Sequence, residues 1–197
     1  AGMAFLASGS TPGRGAYGAE VELCIKYILD NAQDSGYINA PGSGSHGPMY
    51  GHGFATLFLA ECYGMSERAE LREKLARAVH LIVNTQNEEG GWRYQPVRRE
   101  ADLSVTICQV MALRAARNAG IHVPVETINK TIEYVKRSQN ADGGFMYMIS
   151  GGQSAFPRSA AAPRTISRFN TSSNTVRGSR RGVSSGASRS RQTRSGR

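Results

Sequence analysis

Cysteine, tryptophan and histidine are scarce in this chain, whose 197 residues hold three, one and four of them respectively. The cysteines (Cys24, Cys62, Cys108) are odd in number and widely spaced. They form no disulfide framework and no Cys-x-x-Cys metal site, and each sits in an apolar-periodic run where a buried free thiol is expected. His46, His52, His80 and His122 show no metal-ligand spacing, so no metal or cofactor is expected. The chain has no P-loop, GxGxxG segment or nucleophile elbow. No apolar run approaches the roughly 20 residues that span a bilayer, and no charged-then-apolar leader opens the chain. It begins at Ala1 rather than Met, which leaves an upstream targeting segment open. The expectation is a soluble, cytoplasmic chain.

Acidic residues are missing from the whole C-terminal tail. Residues 1–162 carry 15 basic and 15 acidic side chains, whereas residues 163–197 carry nine arginines, no lysine and no acid. The formal charge of +9 therefore belongs entirely to the tail. A basic balance ordinarily points to nucleic acid or an anionic membrane, but that inference does not extend to residues 1–162.

What the chain does have is a repeat. Gln86-Asn87-Glu88-Glu89-Gly90-Gly91-Trp92 recurs as Gln139-Asn140-Ala141-Asp142-Gly143-Gly144-Phe145, and a degraded copy reads Gln33-Asp34-Ser35-Gly36-Tyr37. The period is 53 residues, and the degraded copy is placed at the same spacing. An amphipathic helix precedes each full copy, with Leu71, Leu75, Ala78 and Ile82 before the first and Ile128, Ile132 and Val135 before the second. Pro124 suits the first turn of the latter helix, and the glycine pairs are expected to stop both helices.

A second helix type alternates with these. It runs through Phe54–Ala60 to near Gly64, and from Val105 to Ala119 before Gly120. Its small residues (Ala55, Ala60, Ala112, Ala115, Ala116) suit close packing in an inner layer, with the more charged helices outside. Ala4–Gly9 reads as the end of another such helix, so the chain is expected to start inside a repeat. Three helical hairpins in two layers form a solenoid or a closed toroid. The fold expected is all-α, an incomplete α/α toroid over residues 1–162.

Arg77-Ala78, Ile82, Gln86 and Gly90-Gly91-Trp92 resemble the QW repeat of squalene and oxidosqualene cyclases, and Lys130, Tyr134, Val135 and Gln139 resemble it again. Leu81, Thr131 and Phe145 depart from that pattern. Over roughly residues 3–161 the chain resembles the prenyltransferase and squalene-cyclase superfamily. Its texture is most similar to the uncharacterised bacterial repeat proteins of that group, with Tyr50-Gly51-His52-Gly53 and Asp102-Leu103-Ser104-Val105-Thr106 as local signatures.

The resemblance implies a cavity faced by the N-termini of the inner helices and an apolar, isoprenoid-like ligand or a protein partner. Asp102 would act there as catalytic acid or polar anchor, with Tyr50, His52, Trp92 and Tyr94 lining the substrate site. The family motifs are incomplete. The cyclase DxDD run is reduced to Asp102-Leu103-Ser104-Val105, which leaves one acid where alkene protonation calls for a cluster. The Asp-x-Cys zinc pair of protein prenyltransferases meets Ser104 in place of its cysteine. The leading expectation is a non-catalytic binding domain, and an enzyme using Asp102 is the alternative.

Each residue also has a plainer reading. Asp102 suits a helix N-cap, and His52 a hydrogen-bonded structural position. Trp92, Tyr94, Phe145 and Tyr147 suit packing between repeats.

The apolar pattern collapses after Ala162, and residues 163–197 cannot bury enough apolar surface to order themselves. A genuine arginine-rich arm would bind RNA, DNA or anionic lipid through phosphate contacts. The competing expectation, preferred here because the repeat breaks off midway, is a shifted reading frame near codon 162.

Overall fold

The computed structural model describes residues 1–42, 47–66 and 68–162; His46 and the tail from 163 lie outside the described residues. Among the described residues six helices follow one another: α1 (Gly2–Ala7), α2 (Gly18–Asp30), α3 (Pro48–Ser66), α4 (Ala69–Thr85), α5 (Leu103–Asn118) and α6 (Val125–Arg137). Residues 156–162 are helical as well. Among the described residues there is no strand, only isolated bridges across the turns.

The two helix types occupy two layers. Among the described residues, α3 and α5 make the most extensive helix–helix contact. α5 buries most of its surface, including Val105, Thr106, Val110, Ala112, Leu113 and Ala116. α4 instead buries one stripe, Leu71, Leu75, Ala78, Val79 and Ile82, and leaves its charged face to solvent. α6 follows the same plan with Thr127, Ile128, Thr131, Tyr134 and Val135. The fold is thus an α/α toroid arrangement of helical hairpins, with α3 and α5 inside and α2, α4 and α6 outside.

α3 starts earlier than the apolar pattern suggests, at Pro48, and takes in Tyr50-Gly51-His52-Gly53. Proline is tolerated there because the first helical N–H has no intrahelical partner. Gly53 brings α3 close to α5, since a Cβ at that position would stand 2.9 Å from Gln109 Nε2. That amide in turn donates to the Met49 carbonyl at 2.8 Å.

The glycine pairs do not cap the helices. α4 ends at Thr85 and α6 at Arg137, several residues before Gly90 and Gly143. The glycines shape the turn that follows. Gly90 has φ +98, and a Cβ there would stand 2.2 Å from the Lys130 carbonyl oxygen. Gly36 meets the Arg77 carbonyl in the same way, at 2.3 Å.

This match shifts the register of the first repeat. Gly36 occupies the place of Gly90, and the bridge Ala32–Ile38 matches Gln139–Phe145. Ile38, not Tyr37, therefore stands where Trp92 and Phe145 stand. The three turns are equally long, and the first lies 54 residues before the second (Gly36 to Gly90), one more than the 53 that separate the second from the third; the Gln33 likeness to Gln86 conceals this in the sequence.

Candidate functional site

Every described repeat fastens its turn to the inner helix that follows by one side-chain hydrogen bond. The Trp92 amide donates to Thr106 Oγ1 at 3.0 Å, and the Phe145 amide to Ser159 Oγ at 3.0 Å. In the first repeat the Ile38 amide donates to His52 Nδ1 at 3.2 Å. His52 is fully buried, and its Nε2 lies 3.3 Å from the Ala78 carbonyl. An accepting Nδ1 assigns the proton to Nε2, so the ring is neutral and bonds backbone on both sides. Burial pushes its pKa down to about 4, the Ala78 contact opposing. His52 faces α4 and the turn of its own repeat.

Trp92 is likewise inside, 1% exposed, with Nε1 donating to the Ile82 carbonyl at 2.7 Å. Gln86 sits behind it. Its Nε2 lies 3.0 Å from each of the Gly90 carbonyl, the Thr127 carbonyl and Thr131 Oγ1. Thr131, the departure from the small residue of the family pattern, thus supplies an acceptor.

Asp102, Tyr50 and Tyr94 come together at the N-terminal ends of α3 and α5. Asp102 is the N-cap of α5, with Oδ1 accepting from the Val105 amide at 2.9 Å. Its own amide donates to the Trp92 carbonyl at 3.0 Å. The carboxyl is fully buried, and Oδ2 has no hydrogen-bond partner among the described residues. Burial holds its pKa above the usual carboxylate value, against the pull of the Val105 amide and the Arg93 charge.

Three tyrosines surround this end of the fold. The Tyr50 and Tyr94 rings lie 6.1 Å apart, and the Tyr94 hydroxyl is hydrogen-bonded to that of Tyr147. The Tyr94 carbonyl accepts from the Met49 amide and the Tyr147 carbonyl from the Leu103 amide, so each turn holds the start of an inner helix. Burial, then the charge of Asp102, pushes Tyr50 up to about 12. Tyr147 is raised as well, first by burial and then by its bond to Tyr94. Arg93 lies over the Tyr94 ring and Arg158 over the Tyr147 ring.

Among the described residues no group of three His, Cys, Asp or Glu is placed to hold a metal ion. No described helix is long and apolar enough to cross a membrane.

A separate cavity of about 420 Å³ opens on the concave side of the inner helices. Met3, Leu57, Ile107, Val110, Met111 and Ala115 line it, with Glu61 and Arg114 as its charged groups. Arg114 Nε is buried without a partner among the described residues. Sequence reading misses this site because an arginine on a helix reads as a solvated face, and Leu57 and Val110 read as core.

The family model of the prenyltransferase alpha-alpha toroid domain matches residues 21–156, from α2 to the start of the last helical segment. The chain belongs to this family. Neither the curated proteins nor the solved structures compared with it gave a match. Asp102 Oδ2, at the N-terminal end of α5, and Arg114 Nε, on a residue lining the concave cavity, are two of the four buried polar atoms without a partner among the described residues, the others being Gln109 Oε1 and the Tyr134 hydroxyl.

Proposed function

We propose that this prenyltransferase-type toroid domain is a binding module that takes an apolar ligand on the concave face of its inner helices. The cavity of about 420 Å³ carries this reading. Its volume falls in the roughly 300–1,000 Å³ range of small-molecule sites, and such sites are mostly apolar with few polar groups. Met111 stands 43% exposed at its wall, where an apolar side chain gains from a ligand that removes it from water. Titration with a neutral solvatochromic dye such as Nile red tests the reading. Met111→Asp should weaken dye binding at least about tenfold while leaving the melt unchanged; equal binding by both chains would sink it.

A second reading, an enzyme of the terpenoid-cyclase or prenyltransferase type, rests on Asp102. A fully buried carboxyl with one free oxygen and a raised pKa suits an acid or a polar anchor beside three tyrosines. Ser104 in the zinc-cysteine position, and the lone acid in the cyclase position, weigh against it. Turnover of an isoprenoid substrate that Asp102→Asn abolishes, with folding retained, would favour the enzyme.

A further inference from the structure

We infer that Arg114 is the head-group anchor of the concave cavity, and that the ligand is a single-chain amphiphile ending in a carboxylate. The inference rests on the apolar-ligand reading above and narrows it. A guanidinium carries five N–H donors in a rigid fork, and a buried donor left without an acceptor costs about 1–3 kcal/mol. Arg114 Nε is such a donor among the described residues, on the same cavity wall as Val110 and Ala115. A carboxylate offers two coplanar oxygens that match this fork, and a charge-assisted pair of that geometry is stronger than a neutral hydrogen bond.

The remaining wall decides the rest of the ligand. Met3, Leu57, Ile107 and Met111 offer apolar contact that suits a hydrocarbon body, and Asn118 is the one uncharged polar residue of the lining. Glu61 lines the same cavity, and its negative charge selects against a head group bearing more than one charge. A carboxylate satisfies Arg114 with the least repulsion from Glu61, whereas a phosphate brings extra negative charge.

Displacement of Nile red from the full chain by dodecanoate, dodecanol and dodecyl phosphate at pH 7.5 tests the inference. Dodecanoate should bind about tenfold more tightly than dodecanol and more tightly than dodecyl phosphate. Arg114→Gln should bring dodecanoate down to the dodecanol level while leaving dodecanol unchanged, which also shows that the variant is folded. A dodecanoate preference that survives Arg114→Gln, or is missing from the unaltered chain, overturns the inference and leaves the apolar site standing. A stronger displacement by dodecyl phosphate overturns the carboxylate assignment. If none of the three displaces the dye, the apolar-ligand reading falls, and this inference falls with it.

Discussion

The imidazole of His52 and the hydroxyl of Thr106 accept the same hydrogen bond in successive repeats, from the amides of Ile38 and Trp92. Both acceptors lie 14 residues beyond their donors, as does Ser159 beyond Phe145. The bond belongs to the fold, and the residue that accepts it varies. His52 differs from the other two in being able to titrate.

That difference predicts an acid sensitivity confined to the first repeat. The folded His52 titrates at about 4, below its ordinary value of 6.5, so the unfolded chain binds the proton more readily. Its contribution is complete above about pH 6.5, declines as the pH falls toward 4, and changes no further below that. The shift corresponds to about 3 kcal/mol at most. His52→Thr should flatten the stability difference between pH 4.5 and pH 7.5 in urea melts. A variant as acid-sensitive as the original would assign the effect to other groups.

Two glycines of positive φ should respond very differently to alanine. Gly90→Ala would drive a Cβ to 2.2 Å from the Lys130 carbonyl, whereas Gly120 has φ +82 and no neighbour within 4 Å. Gly120→Ala carries only the strain of a left-handed residue, about 1 kcal/mol. Gly90→Ala adds backbone displacement, and a loss above about 3 kcal/mol is expected. Thermal melts of the pair would reject this account if the two losses were equal.

The two repeat glutamines should likewise separate. Gln86 is buried among three acceptors, whereas Gln139 is exposed and among the described residues its side chain reaches the Gly143 carbonyl alone, at 3.2 Å. Gln86→Ala should cost about 1–3 kcal/mol, and Gln139→Ala less than about 0.5 kcal/mol. Denaturant midpoints of the two variants check this. A costly Gln139 variant would show that the turn, not the burial, sets the effect.

The hairpins were legible in the sequence because glutamine, a glycine pair and an aromatic recur after each charged amphipathic stretch. The inner and outer layers followed from where the alanines fall. The one-residue change of register between the first and second repeats was hidden, because Gln33 imitates Gln86 while Ala32 takes its place. The proximity of Tyr50, Tyr94 and Asp102 depends on which turn meets which helix start, and here that is settled by the Met49–Tyr94 and Leu103–Tyr147 backbone bonds. His52 and Trp92 have no such signal. A histidine at a helix start and a turn tryptophan read alike whether they face a cavity or a neighbouring carbonyl.

Asp102 should favour folding less at neutral pH than in acid. Its folded pKa is raised above 3.8, so the native state binds the proton more readily than the unfolded one. Its favourable contribution is complete below about pH 3.8 and is lost as the pH rises through the folded value. Asp102→Asn keeps an oxygen for the Val105 amide and cannot ionise. Its melting temperature should gain on the original between pH 4 and pH 7, and a constant difference would contradict the burial account. Asp102→Ala loses the cap and should cost about 1 kcal/mol.

The 14-residue closure that ties each turn to the next helix also has a mechanical meaning. Each tie spans one turn and one helix start, so tension applied along the backbone would load the hairpins one after another. Pulled in an optical trap, the molecule should lengthen in discrete events. Each event would release one repeat, roughly 180 Å of extended chain at about 3.5 Å per residue.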